Sequence, residues 1–265
     1  MTKEFENKNQ WALILGGSSG LGLATAKKLA KHGLNICIVH RSPRLHEETI
    51  SKEFESITQN SIQLKTYNID LAKPEKRQDV IGALTSTFKE DHKIKVMVHS
   101  VAKGNLKPMV SEDGNTLKHD DFEITLNAMA LSLYEWTKAL FEARLFADDS
   151  RIISFTSEGN TKAWQYYAAV SAAKVTLEAI TRSIALEFAP YGIKANCIQA
   201  GVTDTPSLRL IPGSDDIIEH SLKRNPNRRL TTPQDVANVV YLLSKDEASW
   251  ITGTIIPVDG GEHLR

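Results

Sequence analysis

Short apolar runs alternate with longer amphipathic stretches along the whole chain. Continuous apolar runs of this length predict strands that are buried on both faces, as in parallel sheets. Between them, apolar residues recur at helical spacing, as at Leu21, Ala26 and Leu29 before Gly33, where a glycine would end a helix. The predicted strands lie at 11–15, 35–39, 62–67, 95–99, 151–155, 194–198 and 254–258.

This alternation predicts an α/β fold in which a doubly wound, seven-stranded parallel sheet of the Rossmann type carries helices on both faces. The length of 265 residues fits one such domain over 1–265. In these sheets a ligand binds at the carboxyl ends of the strands. The segment 203–233 has several prolines around a weak helical pattern, so we expect either a helical substrate lid or a plain surface excursion.

Composition narrows the function classes. Lys plus Arg and Asp plus Glu both total 32, so no overall field attracts nucleic acid or an anionic membrane. Cys37 and Cys197 lie inside apolar runs and indicate neither a disulfide framework nor a metal site. The charged segment 1–10 is atypical of a signal or transit peptide, and no uncharged run approaches membrane-spanning length. We expect a cytoplasmic protein.

A glycine-rich turn, GGSSGLG at 16–22, follows the first predicted strand and opens the first predicted helix. Its small residues let backbone N–H groups approach a pyrophosphate, and the helix offers its positive end, so a dinucleotide site is predicted. A P-loop would require a lysine directly after its second glycine, and leucine follows both Gly20 and Gly22, so a P-loop is excluded. A hydrolase nucleophile elbow is a remote alternative, because only 1–15 precede the turn to supply a second oxyanion donor. The candidate cofactor residues are Gly16, Ser18, Ser19, Gly20, Leu21 and Gly22.

The ends of the next strands carry further cofactor candidates. The second strand ends in His-Arg-Ser where an NAD-binding protein would present Asp or Glu, and Arg41 fits a 2′-phosphate. After the third strand, Asp70 is placed either to accept from an adenine amino group or to cap a helix. The remaining candidates at these ends are Leu71, Ser100, Val101 and Ala102.

A phenol and an ammonium share the helical pattern that follows the fifth strand. Tyr167 and Lys174 are seven residues apart, close to two helical turns, which predicts one common face. Near that cation and a nicotinamide, the tyrosine would be a stronger acid than in water and would hydrogen-bond a substrate carbonyl. Ser157 is placed to orient the substrate. The competing interpretation is a core tyrosine with a snorkelling lysine.

Together these motifs resemble the short-chain dehydrogenase/reductase superfamily over nearly the entire chain. Most members place the tyrosine four residues before the lysine, but that position is Val170 here. The Tyr-x6-Lys spacing resembles the NADPH-using enoyl-acyl carrier protein reductases of fatty-acid synthesis. The motifs are Gly16-x3-Gly20-x-Gly22, Asn68-x-Asp70, Asn127 in the fourth helix, His99-Ser100-Val101-Ala102, Ser157, Tyr167-x6-Lys174, Ala200-Gly201-x3-Thr205 and Val258-x2-Gly261.

The resemblance implies reduction of the 2,3 double bond of a trans-2-enoyl thioester on acyl carrier protein or CoA, with NADPH as the cofactor. It implies that Tyr167 hydrogen-bonds the thioester carbonyl and its enolate, and that Lys174 holds the nicotinamide ribose hydroxyls. Val202 and Thr205 would flank the nicotinamide and pyrophosphate. It also implies a homotetramer, with the Lys174 helix and the last strand at the contacts.

Two other functions stay open from the sequence. One is a carbonyl- or alcohol-directed member of the superfamily, and the other is a redox sensor that binds NADPH without turnover. The intact Tyr167 and Lys174 disfavour the sensor.

Overall fold

A computed structural model describes residues 3–88 and 91–265. Within these ranges seven strands form one parallel sheet: β1 (Gln10–Leu15), β2 (Asn35–His40), β3 (Leu64–Asn68), β4 (Lys93–His99), β5 (Phe146–Thr156), β6 (Ile193–Ala200) and β7 (Ile255–Val258). Their order across the sheet is β3-β2-β1-β4-β5-β6-β7. The predicted doubly wound Rossmann architecture is confirmed.

Helices connect these strands. They are α1 (Gly20–Lys31), α2 (Glu47–Thr58), α3 (Pro74–Thr87), α4 (His119–Leu126), α5 (Ser132–Glu142), α6 (Ala168–Glu187), α7 (Pro206–Arg209), α8 (Ser214–Arg224) and α9 (Pro233–Ser244). The predicted end of α1 is confirmed, since Gly33 follows it with a φ of +97° that favours glycine. A π-helical turn, Asn127–Leu131, joins α4 to α5. Asn127 therefore lies in this turn and not in an α-helix.

Apolar residues cover both faces of the sheet. Along β1, Leu13 and Leu15 belong to one buried cluster, while Ala12 and Ile14 belong to the other. This alternation follows from the period of two in a strand, and it explains why β1 reads as a continuous apolar run. In the described part of the chain, no helix combines the length and apolar character that crossing a membrane requires.

The topology brings several strand ends to one edge of the sheet. The chain reverses its direction of winding between β1 and β4, and such a switch point is where α/β proteins bind ligands. Here the backbone after β1 lies against the backbone after β4. A Cβ atom at Gly16 would stand 2.1 Å from the carbonyl oxygen of Ser100, and the φ of Gly16 is +89°. Only glycine fits this position.

The start of α6 differs from the prediction. The helix begins at Ala168, and Tyr167 is its N-cap with φ −109° and ψ 1°. The carbonyl of Tyr167 still accepts the first helical hydrogen bond, from the N–H of Ser171 at 2.8 Å. Just before it, Tyr166 has a φ of +64°, which interrupts any right-handed helical run. The predicted helix therefore contains Lys174 but begins one residue after Tyr167.

Candidate active site

A single cavity of about 670 Å³ opens at this edge of the sheet. One end lies against the glycine-rich turn and β2, and the other against the start of α6 and the 203–233 segment. Gly22 alone among the predicted residues does not line it, because it packs beneath the turn, where a Cβ would stand 2.2 Å from the Gly16 oxygen. The predicted residues that do line it are Gly16, Ser18, Ser19, Gly20, Leu21, Arg41, Asp70, Leu71, Ser100, Val101, Ala102, Ser157, Tyr167, Lys174, Val202 and Thr205.

The start of α1 faces the cavity with its backbone donors available. Ser19 is the N-cap in extended conformation, and its own side chain makes no capping hydrogen bond. Within the described residues, the first turn of α1 also holds no acidic side chain. The first N–H groups of a helix carry partial positive charge and need an outside acceptor. This end of the cavity therefore fits a pyrophosphate.

At the end of the cavity near β2 and β3, two cations share one carboxylate. Arg41 Nη1 lies 2.9 Å and Lys103 Nζ 3.3 Å from the same Oδ2 of Asp70. Burial alone would raise the pKa of Asp70, but the Ala72 N–H, Lys103 and Arg41 together hold that pKa below its usual value. The cluster keeps a net positive charge at the cavity wall, as recognition of a phosphate requires.

Asp70 does not cap a helix. Its Oδ1 accepts from the N–H of Ala72 at 3.2 Å, within a turn. The next helix, α3, has Lys73 as its N-cap and a proline in its first turn. The helix-cap interpretation of Asp70 is therefore wrong, because α3 begins too far along the chain.

At the other end of the cavity, the phenol of Tyr167 lies beside Ser157 and Gly159. A Cβ at Gly159 would stand 2.5 Å from Cε1 of the tyrosine ring. Ser157 Oγ is buried and makes no hydrogen bond within the described ranges. Burial raises the pKa of Tyr167, and the neighbouring Ser157 hydroxyl opposes that rise. In the protein without a bound nicotinamide, burial thus outweighs the neighbouring groups, and the stronger acid expected beside a bound nicotinamide stays a prediction.

Lys174 is buried on α6 and lines the cavity. Its Nζ donates to the carbonyl oxygen of Phe155 at 2.6 Å. Burial lowers the pKa of Lys174 to about 8, while Glu178, one turn further along α6, acts in the opposite direction. The side chain is only 8% exposed, so the snorkelling interpretation is wrong. An ammonium with one donor committed retains two others for a ligand.

Behind Lys174, His99 is neutral. Its Nε2 lies 2.8 Å from Ser132 Oγ, which itself donates to the Ala128 carbonyl. Burial and the charge of Lys174 lower the pKa of His99 to about 3. The strand end beneath the cavity therefore adds no cation that would repel Lys174.

The loop after β5 contains cavity residues that the sequence reasoning missed. Glu158, Gly159 and Trp164 all line the cavity. Glu178 fixes this loop from α6, because its Oε1 accepts from Thr156 Oγ1 at 2.5 Å and from Asn160 Nδ2 at 2.6 Å. Neither motif nor periodicity marks these residues. Trp164, an aromatic residue that follows a polar stretch, was the one available signal.

The apolar part of the cavity lies near Tyr167. Met129 and Val170 are buried in a cluster against which Leu106 and Tyr167 pack. The 203–233 segment closes the same region with α7 and α8, whose residues Leu208 and Ile217 line the cavity. Thr205 caps α7, since its Oγ1 accepts from the N–H of Leu208 at 3.3 Å. This end suits an apolar substrate.

The sheet order, the glycine turn and the Tyr/Lys pair define a short-chain dehydrogenase/reductase. A family model described as enoyl-(acyl carrier protein) reductase matches residues 16–263, and the chain belongs to this oxidoreductase family.

The names of similar proteins indicate different substrates. An uncharacterized oxidoreductase, YjdA of Bacillus subtilis, is 29% identical, with 94% of this chain and 95% of the relative covered. Rat peroxisomal 2,4-dienoyl-CoA reductase is 27% identical, with 96% of this chain and 83% of the relative covered. The 7alpha-hydroxysteroid dehydrogenase of Paraclostridium sordellii is 26% identical, with 97% of this chain and 93% of the relative covered. Among solved structures, enoyl-[acyl-carrier-protein] reductase (NADH) of Aquifex aeolicus VF5 superposes with a TM-score of 0.84 at 24% identity, over 98% of each chain.

Proposed function

We propose that the protein reduces the 2,3 double bond of trans-2-enoyl thioesters with NADPH. One observation carries this proposal: Tyr167 is the only tyrosine among the described residues that line the cavity. Val170, four residues before Lys174, is buried against Met129 and presents no donor. The acid of this site therefore stands at the start of α6.

The position of the phenol suits an enoyl acceptor. A ketone takes hydride at the carbonyl carbon, whereas an enoyl thioester takes it at the β-carbon, two bonds beyond the carbonyl. At 1.5 Å per residue, the axial distance from Lys174 is about 6 Å at position 170 and about 10 Å at position 167. Tyr167 is the N-cap of α6, and its carbonyl accepts the first helical hydrogen bond, so we use the helical rise to infer a donor placed outward from the lysine.

The site residues fit a dinucleotide cofactor. The open start of α1 would hold its pyrophosphate, and Val202 and Thr205 would flank the pyrophosphate and nicotinamide. Arg41, 60% exposed at the cavity wall, would bind a 2′-phosphate, which distinguishes NADPH from NADH. When bound, this cofactor supplies a hydride from its nicotinamide.

The protein's own groups then position and stabilise the substrate. The phenol of Tyr167, kept protonated at neutral pH by burial, donates to the thioester oxygen and stabilises the enolate as negative charge develops there. Lys174 binds the ribose hydroxyls through its remaining donors. The α-carbon of the enolate would then take a proton from water, so that one hydride and one proton are added across the double bond.

The apolar wall of the cavity supports a fatty acyl substrate. Met129, Val170 and Ile217 surround the space beside the phenol. A thioester on acyl carrier protein or CoA, within fatty-acid elongation in the cytoplasm, is the setting we propose. The 203–233 segment would act as the lid over the acyl chain.

One assay tests this function. Purified protein is mixed with NADPH and either crotonyl-CoA or acetoacetyl-CoA, and the loss of NADPH absorbance is followed. We expect turnover of the enoyl thioester, with saturated acyl-CoA as the product. Efficient reduction of the 3-oxoacyl thioester with no activity on the enoyl thioester would overturn the proposal.

A carbonyl-directed activity is the second candidate. It is favoured by the similarity to a hydroxysteroid dehydrogenase. NADPH binding without turnover of either thioester or of a ketone panel would instead favour a redox sensor.

A further inference from the structure

A buried guanidinium connects three segments that are far apart in the sequence. Arg224, the last residue of α8, contacts Glu158 Oε2 through Nη2, and the same Nη2 lies 2.7 Å from Glu262 Oε1. The Arg224 side chain is 11% exposed and that of Glu262 only 1% exposed. The 203–233 segment is thus bonded to the loop after β5 and to the C-terminal segment of the fold.

Glu158 lies in the backbone that supports the phenol. It stands between Ser157, whose buried hydroxyl neighbours Tyr167, and Gly159, whose backbone contacts the tyrosine ring. Glu178 fixes both ends of this short loop through Thr156 and Asn160. Arg224 fixes its middle from the opposite side. A displacement of Glu158 would therefore also displace Gly159, against which the ring of Tyr167 packs.

The same helix reaches the cavity at a second point. His220 of α8 packs edge-on against Trp164, with ring centroids 6.4 Å apart. Trp164 and Ile217 both line the cavity. The position of α8 therefore affects both the acyl end of the cavity and the loop beside the phenol.

Charge explains why an arginine occupies this position. Two carboxylates face it, and within residues 3–88 and 91–265 the only other cation paired with them is Lys162, which is 40% exposed and bonds Glu158. A buried ion pair adds little net stability, because desolvation cancels much of the attraction. The planar guanidinium of an arginine does, however, fix the direction of its hydrogen bonds, which the flexible ammonium of a lysine does not. The contribution of such a group is geometric.

We propose that Arg224 is a positioning residue. It holds the Glu158 loop, and through that loop the phenol of Tyr167, in a fixed position relative to the 203–233 segment. The proposal rests on the proposed function, in that Tyr167 is taken as the group that contacts the substrate. Arg224 itself touches no reacting atom.

The first experiment compares Arg224→Met with Lys223→Met. Lys223 is the exposed neighbour of Arg224 on α8, and it pairs with Glu219 at the surface. Steady-state rates are measured with crotonyl-CoA and NADPH. For Arg224→Met we expect kcat to fall on the order of 10- to 100-fold, as for a misplaced catalytic group. The KM for NADPH should change little, since the residues proposed to bind its pyrophosphate and 2′-phosphate lie at the other end of the cavity. Lys223→Met should match the wild type.

A second pair of variants separates positioning from stability. Arg224→Met leaves Glu262 buried without its cation, whereas Arg224→Met/Glu262→Gln removes that charge. We expect the double variant to recover most of the lost Tm but not kcat. Arg224→Lys should lie between wild type and Arg224→Met in kcat. Recovery of kcat together with Tm in the double variant would overturn the proposal.

A measurement that needs no turnover separates the proposed role of Arg224 from the proposed enoyl reduction. Amide hydrogen exchange over residues 157–167 is followed in the free proteins. We expect faster exchange there in Arg224→Met and in the double variant, and wild-type exchange in Lys223→Met. If the wild type reduces no enoyl thioester, the proposed function fails while the exchange experiment still decides the role of Arg224. Unchanged exchange in Arg224→Met would overturn that role.

Discussion

The ring of Tyr167 lies directly against the backbone of Gly159, so that a Cβ at Gly159 would stand 2.5 Å from ring atom Cε1 and 3.0 Å from Cδ1. Real Cβ atoms do not approach so closely, and the ring would have to move. We expect Gly159→Ala to lower kcat with crotonyl-CoA on the order of 10-fold or more, because the donor is displaced. Far-ultraviolet circular dichroism should show the fold retained.

Gly82 provides the matched control for that substitution. It lies within α3, and a Cβ there meets no atom within 4 Å. Gly82→Ala should leave kcat unchanged and raise the free energy of unfolding by about 0.5–1 kcal/mol, because alanine favours a helix. Equal kcat in the two variants would contradict the role assigned to Gly159.

Removal of the phenol oxygen tests the assignment of the acid. Tyr167→Phe should cut enoyl turnover by roughly one to several orders of magnitude, the range for a lost positioned acid or oxyanion donor. Binding of NADPH, measured by titration, should change little. Tyr166→Phe is the matched control, since the cavity lining includes Tyr167 but not Tyr166 in the described chain. Wild-type turnover in Tyr167→Phe would exclude the phenol as the donor.

Arg41 sets the expected cofactor preference. Arg41→Ala should raise the KM for NADPH far more than the KM for NADH, because only the former carries a 2′-phosphate for the guanidinium to bind. Arg44→Ala removes a nearby arginine that is not part of the cavity wall. Its two KM values should match those of the wild type. Equal effects of Arg41→Ala on both cofactors would show that another group selects the cofactor.

The pKa of Lys174, lowered by burial from 10.5 to about 8, predicts opposite pH trends for activity and stability. As pH rises through 8, the folded chain loses the ammonium, so kcat/KM should fall. Up to about pH 10.5 the unfolded chain still binds that proton, so the lysine's contribution to the free energy of unfolding rises with pH. Parallel kcat/KM and Tm profiles test both signs. In Lys174→Arg the alkaline fall should vanish, since a guanidinium stays charged.

We propose a homotetramer with α6 and β7 near the contacts. On α6, Val175 is 47% and Leu186 78% exposed, and just before β7 Trp250 is 96% exposed. In the proposed tetramer a partner chain would cover these apolar side chains. Light scattering should give four times the chain mass, and a stable monomer at micromolar concentration would contradict the proposal.

Much of the fold was predictable because its signals are local. Each predicted strand has a counterpart in the structure. The position of β1 was clear because its residues form a continuous apolar run that is buried on both faces. The prediction for β5, 151–155, is shorter than the observed Phe146–Thr156, because Asp148 and Asp149 interrupt the apolar pattern. In the structure Lys95, Arg151 and Lys194 neutralise Asp149, whose pKa they hold far below its usual value against the opposing effect of burial.

The missed parts of the site depend on contacts between distant residues. Glu158 looks like an ordinary loop acid until Arg224, 66 residues later, is bonded to it. The helix start at Ala168 depends on the positive φ of Tyr166, which no spacing rule shows. The motif residues of the cofactor end were predictable because each stands at a strand end, and strand ends meet by topology alone.

The close approach of Gly16 to the Ser100 carbonyl has a consequence for how the chain folds. β1 gains β2 as a neighbour from the next stretch of sequence, but its other neighbour, β4, belongs to a stretch that begins at Lys93. Docking that strand closes a long loop, and long-range closure slows folding. The glycine turn therefore reaches its final shape late in assembly, when the two halves of the sheet meet, and an isolated fragment ending after β3 would contain the motif but not the shape.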